Sequence, residues 1–192
     1  MTNNLEVKAK DFAYNAHFGQ TRKGKDTPFV THLDSVVSIV KVFTADEQII
    51  AASWLHDVVE DTPTEINTIY KEFGEIVGDY VSIETEDKLD GQSSKSTWLA
   101  RKEEQLNRLM TDANDNPKTL LIAFADKLAN LREMNADYAI VGNYLWSRFN
   151  NTNLKEQGWY YSEFLKTTKH LKVIKDSELS EEMKNLIAFL FE

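Results

Sequence analysis

The sequence predicts an all-α fold, and three observations carry that expectation. Proline and glycine are scarce, 3 and 7 in 192 residues, so few positions force the chain out of a helix. Apolar residues recur at i, i+3, i+4 spacing through most of the chain. No stretch shows the sustained alternation of a half-buried strand, and neither an internal repeat nor a linker is visible. The expected organisation is one domain, with its main body over residues 1–171 and residues 172–192 as a C-terminal helical extension of that same domain.

Taken in order, Glu6 to Phe18 places Val7, Ala9, Phe12, Ala13 and Ala16 on one helical face, and Gly19 supplies a stop. A second helix is expected from Thr31, where Thr31-His32-Leu33-Asp34 reads as a capping box ahead of Val36, Val37, Ile39, Val40 and Phe43. Thr44-Ala45-Asp46-Glu47 reads as a second box, launching the helix that carries His56 and Asp57. Thr62-Pro63-Thr64-Glu65 reads as a third, with proline at the first helical position and the helix ending near Gly74. Glu75 to Ile83 is a further short helix. Glu84 to Ser96, polar with Gly91 and three serines, reads as a loop able to cover a site. Helix is expected again over Thr97–Met110 and, after the Asp115-Asn116-Pro117 turn, over Lys118–Met134. Asn135 to Thr152 reads as irregular with one helical turn around Tyr144–Phe149; Asn153–Leu171 is helical, and Ser180 caps a last helix, Glu181–Phe191.

Composition narrows the function classes. Apolar residues at 42% and charged residues at 28% are globular values. A net charge of −9 without a basic stripe argues against nucleic acid as a partner, and no apolar run approaches a membrane span. The N-terminus lacks an apolar signal core, and the absence of cysteine excludes disulfides and thiolate metal sites, so a cytoplasmic protein is expected.

The stretch Trp54-Leu55-His56-Asp57-Val58-Val59-Glu60-Asp61-Thr62 concentrates the chemistry. On one continuous helix, His56, Asp57, Glu60 and Asp61 would span roughly 140° of surface, a costly set of charges for an otherwise apolar segment unless a cation compensates. His32 and Asp126 share that character, each set in an apolar helix. Two imidazoles and two carboxylates without thiolate suit a divalent ion from the harder end of the range, such as Mn²⁺, Fe²⁺, Zn²⁺ or Mg²⁺. The plainer reading of Asp126 is a salt bridge to Lys127 or Arg132, but helix geometry points those neighbours elsewhere or only partly toward it.

A histidine, then a His-Asp doublet, then a distant aspartate is the pattern of the HD-domain phosphohydrolases, which are helical bundles. The wording is narrower than that superfamily. Ala16-His17-Phe18-Gly19-Gln20-Thr21-Arg22-Lys23 with Thr27-Pro28-Phe29-Val30-Thr31-His32 resembles the start of the hydrolase domain of RelA/SpoT-type alarmone enzymes. His56-Asp57-Val58-Val59-Glu60-Asp61-Thr62 and Ala125-Asp126-Lys127-Leu128-Ala129-Asn130-Leu131-Arg132 are similar to their hallmark helix and closing motif. The resemblance spans about residues 5 to 170, which leaves room for one helix and not for synthetase or regulatory domains, as in the small MESH1-like alarmone hydrolases. Two departures stand out: Leu33 follows the first histidine where the family usually has proline, and Phe124 and Ala125 are apolar where a basic residue is usual.

The resemblance implies removal of the 3′-pyrophosphate from ppGpp or pppGpp, usually with Mn²⁺. It implies His32, His56, Asp57 and Asp126 as metal ligands and Glu60 and Asp61 as acid–base residues. Arg22 and Lys23 would meet the nucleotide, joined by Lys127 and Asn130; His17 would stand behind them. The partner expected is a small nucleotide, with a second copy of the chain as an open alternative. Two rivals remain: an HD phosphohydrolase acting on another nucleotide (NADPH or a nucleoside phosphate), or a metal- or nucleotide-binding module with weak catalysis. Trp159, Tyr160 and Tyr161 are either core or the wall of a base pocket, and Arg148 is a further candidate for the nucleotide.

Overall fold

The computed structural model describes residues 5–85 and 97–192, and within them the chain is helical throughout, with one isolated antiparallel bridge between Thr21 and Pro28. The expected all-α class is what the structure has. It forms two compact units, Met1–Thr85 with Leu121–Ala125, and Glu86–Leu120 with Asp126–Glu192. Of the expected covering loop, residues 86–96 lie outside the described residues; Glu84 ends a helix.

In the first unit, α1 (Leu5–Ala16) presents Ala9 and Ala13, both fully buried, to α3 (Glu47–Leu55). Small side chains there let the two helices approach closely. α2 (Val30–Phe43) packs on α3 through Leu33, Val36, Val37, Ile39 and Val40. α3 buries every residue from Ile49 to Leu55, because α1, α2 and α6 (Glu75–Glu84) all pack against it. α4 (Val58–Asp61) and α5 (Ile66–Phe73) complete this unit, joined by Phe124 from the stretch Leu121–Ala125, whose ring meets Phe43 edge-on at 5.7 Å.

The three expected capping boxes are not formed as read. Phe29 caps α2 without a side-chain bond, and the Thr31 hydroxyl donates to the Pro28 carbonyl (2.8 Å). Asp46, not Thr44, caps α3, accepting from the Gln48 amide (3.1 Å); Thr44 accepts from the Asp46 amide instead. The Thr62 hydroxyl donates back to the Val58 carbonyl (2.7 Å), so it closes α4, and α5 starts only at Ile66. The helix expected to run through His56 and Asp57 is broken there: α3 ends at Leu55 and α4 begins at Val58.

In the second unit, α7 (Trp98–Asp115) packs on α9 (Leu154–Thr167), with Tyr160 donating to the buried Gln105 side chain (2.8 Å). α8 spans Leu120–Val141, longer than expected, because Tyr138 still packs against Trp146 and Phe189, each at 6.0 Å. It stops at Gly142, whose φ of +57° few other residues adopt, and a 3₁₀ stretch follows to Arg148. After α10 (Lys172–Lys175), α11 (Glu178–Phe191) is capped by Ser177, which accepts from the Ser180 amide (3.1 Å), three residues ahead of the expected cap. α11 lies on α9, with Phe191 stacked on Tyr161 at 5.6 Å. Arg132 grips Glu182 with two bonds of 2.6 Å, tying the second-unit part of α8 to α11. No described helix is long and apolar enough to cross a membrane.

Two outcomes follow from these contacts. A Cβ on Gly78 of α6 would sit 2.3 Å from the Tyr70 ring, so Gly78→Ala should cost about 1–3 kcal/mol in a urea unfolding titration, a typical overpacking penalty. The hydrogen bond from Arg132 holds the Glu182 carboxyl below the ordinary carboxylate range. A lowered folded value means stability that is present above the unfolded value and lost as pH falls through the folded one. Glu182→Gln should therefore flatten the acid limb of the stability–pH curve and leave its neutral portion the less stable of the two.

Candidate metal centre

The break between α3 and α4 is where the site is made. His56 follows the last residue of α3 and is 3% exposed; its Nδ1–H donates to the Ser53 carbonyl at 2.9 Å. A carbonyl only accepts, so the proton sits on Nδ1 and Nε2 carries the lone pair, the arrangement a metal-binding imidazole needs. Asp57 is next, with Oδ2 at 3.2 Å from His56 Nε2 and 3.5 Å from His32 Nε2. His32 lies in the first turn of α2, 4% exposed, and its ring centroid is 5.5 Å from that of His56. One donor atom from each of the three residues falls within 4.8 Å of the others. Two buried imidazoles and one half-buried carboxylate with no thiolate fit a divalent ion of the Mn²⁺–Zn²⁺ range, and a cation here offsets the partial desolvation of that carboxylate.

Around this cluster, the Phe29 ring meets His32 edge-on at 5.9 Å, stacks on His17 at 4.4 Å, and has the Arg22 guanidinium 5.3 Å from its centre. The Arg22–Lys23 turn is shaped by backbone bonds from the Arg22 amide to Thr27 (2.8 Å) and from the Lys25 amide to Arg22 (3.1 Å). Glu60, half-buried, and Asp61, exposed, form the end of α4 directly after the His-Asp pair.

The chain's resemblance to known proteins agrees with this geometry. An HD-domain family model matches residues 9–151. The chain belongs to the HD-domain family. Among HD relatives, a mouse guanosine-3′,5′-bis(diphosphate) 3′-pyrophosphohydrolase, MESH1, is 33% identical over 67% of this chain and 69% of its own length. A probable enzyme of the same description from Synechocystis is 34% identical over 69% of this chain but only 17% of its own. A probable GTP pyrophosphokinase of Mycobacterium leprae is likewise matched over 16% of its length, so the chain spans about a sixth of these long relatives. A solved structure of a metazoan SpoT orthologue described as hydrolysing ppGpp superimposes with a TM-score of 0.73 at 26% identity, covering 98% of this chain and 97% of that one. A Listeria monocytogenes protein gives 0.70 at 26% identity over 89% of this chain and 99% of its own. An HD domain implies a divalent metal, and His32, His56 and Asp57 are the donors gathered for it.

The other expected site residues belong to the second unit. Asp126 is 8% exposed on α8, its carboxylate engaged by the Lys127 ammonium and by the Asn130 amide at 2.7 Å. The expectation that Lys127 points away is overturned: its long stem lets an adjacent residue curl back onto the carboxylate. Arg132 is turned instead to Glu182. Arg148, an expected nucleotide candidate, pairs with Asp137 at 3.1 Å. Tyr160 and Tyr161 are buried core, whereas Trp159 is half-buried and lines a cleft of about 490 Å³ with Leu106, Met110 and His170. Ser53 is the contributor not foreseen: its carbonyl orients His56, and the only sequence signal was its position three residues upstream in an apolar helix.

Metal loading should stabilise the fold. With free Mn²⁺ at about 100 times its Kd, linkage adds about 2.7 kcal/mol, or roughly 5–10 °C in melting temperature for a chain of this size. His56→Ala and Asp57→Ala should abolish the shift in a thermal scan.

Proposed function

We propose that the chain is a metal-dependent guanosine-3′,5′-bis(diphosphate) 3′-pyrophosphohydrolase, converting ppGpp or pppGpp to GDP or GTP and pyrophosphate. The observation that carries it is the direct succession of three converging donors, His32, His56 and Asp57, by two carboxylates, Glu60 and Asp61, on the adjoining turn. The names of the mouse MESH1 and metazoan SpoT relatives support the substrate class.

A divalent ion, Mn²⁺ in this reading, would supply charge stabilisation for phosphoryl oxygens and lower the pKa of water at the site. His32, His56 and Asp57 would hold it, with Asp126 as the fourth ligand in this reading. The rest falls to the chain. Glu60, half-buried beside the donors, takes the proton of the attacking water. Asp61, next to it on the same turn, relays that proton to the leaving 3′-oxygen, so the proton taken from water leaves with the departing alcohol. The substrate carries several negative charges into a protein of net charge −9, so cations must be local. Arg22 and Lys23 bind its phosphates, the guanidinium steadied over the Phe29 face. Lys127 and Asn130 are assigned to the nucleotide as well; because both engage Asp126, that assignment requires the carboxylate to exchange these partners for the ion. The absence of cysteine supports a cytoplasmic setting.

Pyrophosphate release from ppGpp by metal-stripped protein restored with Mn²⁺ tests the reading. We expect metal-dependent turnover, lost by at least about 10³-fold in Asp57→Ala and by about 10²–10⁴-fold in kcat for Glu60→Gln. A metal-loaded protein silent on ppGpp and pppGpp but active on NADPH or a nucleoside phosphate would move the assignment to another nucleotide.

A further inference from the structure

The Gln20 side chain makes two bonds at once. Its Nε2 donates to the backbone carbonyl of Asp61 (2.9 Å), and its Oε1 faces Nδ1 of His17 at 2.8 Å. The first bond settles the second. A carbonyl only accepts, so the amide NH₂ must face Asp61 and the amide oxygen must face His17, which places a proton on His17 Nδ1. The His17 ring is 1% exposed and stacked on Phe29, and its Nε2 is buried with no hydrogen-bond partner among the described residues. A buried nitrogen of this kind costs free energy, and an apolar ring would occupy the same place without that cost. What the imidazole alone provides is a directed Nδ1–H that fixes the Gln20 amide.

The receiving element is short. α4 is a single turn of four residues, and of its side chains only Val58 is buried. The Asp61 carbonyl is one of its terminal acceptors, a group a helix leaves unsatisfied. We infer that Gln20, oriented by His17, is a positioning residue that pins the end of α4 and thereby sets Glu60 and Asp61 against the metal donors.

The inference rests on the reading of Glu60 and Asp61 as acid–base residues, and it predicts a separation of kinetic effects. The turn bearing Arg22 is held by backbone bonds of its own, from the Phe29 amide to the Gln20 carbonyl (3.0 Å) and across the Thr21–Pro28 bridge. Removing only the Gln20 side-chain bonds should therefore leave nucleotide binding intact and disturb the chemistry. Gln20→Met keeps the shape and loses both bonds. Gln20→Glu keeps an acceptor for His17 and loses the donor to Asp61.

The test measures, for Mn²⁺-loaded full-length protein, kcat and KM with ppGpp together with hydrogen–deuterium exchange of amides over residues 57–64. In both variants kcat should fall about 10-fold or more with KM within about twofold, and exchange in that segment should rise while the melting temperature falls by no more than about 10 °C, the cost of the bonds lost. Adding Gln20→Met to the Glu60→Gln/Asp61→Asn pair should slow turnover no further than that pair alone, because Gln20 acts through those two carboxylates. Unchanged exchange overturns the tie. Raised exchange with a wild-type kcat, or a loss confined to KM, overturns positioning of the chemistry. Full activity in Glu60→Gln overturns the acid–base assignment instead, and the exchange result still decides whether Gln20 pins α4.

Discussion

Three donor atoms held within 4.8 Å of one another are the constraint around which the first unit is built. Nothing about a carboxylate beside two imidazole lone pairs is self-stabilising, so the protein must enforce it. It does so by burying α3 from Ile49 to Leu55, which fixes where the chain delivers His56. The Ser53 carbonyl then selects the tautomer, and the interruption after Leu55 swings Asp57 toward both rings. α1, α2 and α6 surround α3, and the rigidity of that packing is what the centre draws upon.

The segment from His17 to His32 acts as a second layer behind the donors. Phe29 is shared by His17, His32 and Arg22, so one apolar ring touches a candidate metal donor, a second buried imidazole and a guanidinium. An aromatic face suits all three, because it packs against the rings and attracts the cation. A guanidinium and a cluster of candidate metal donors can thus lie close to one ring in an acidic chain.

The all-α class was readable because few residues break helices and because faces such as Val36, Val37, Ile39 and Val40 recur at the right interval. His32, His56 and Asp57 stood out as ionisable groups in apolar surroundings, and folding gathers all three. Caps were read less well. Thr44 and Asp46 both offer an oxygen near the start of α3, and only backbone geometry decides that Asp46 takes the amide. The break at His56–Asp57 was illegible because both residues have near-helical backbone angles and no proline or glycine marks it. Lys127 was misjudged for another reason: neighbours along a helix do not face each other as rigid vectors, but a lysine stem is long enough to turn back to Asp126.

The shortness of α4 has an evolutionary consequence. Val58 is its one deeply buried side chain, whereas Glu60 is half-buried and Asp61 points to solvent. Substitutions at the last two positions remove little packing, and such changes usually shift stability by no more than about 0.5 kcal/mol. Folding and the proposed reactivity therefore fall to separate residues a few positions apart. Descendants of this chain could lose, retune or replace the proposed acid–base pair while keeping the fold and the His32, His56 and Asp57 cluster intact, so drift in reactivity would meet little resistance from stability.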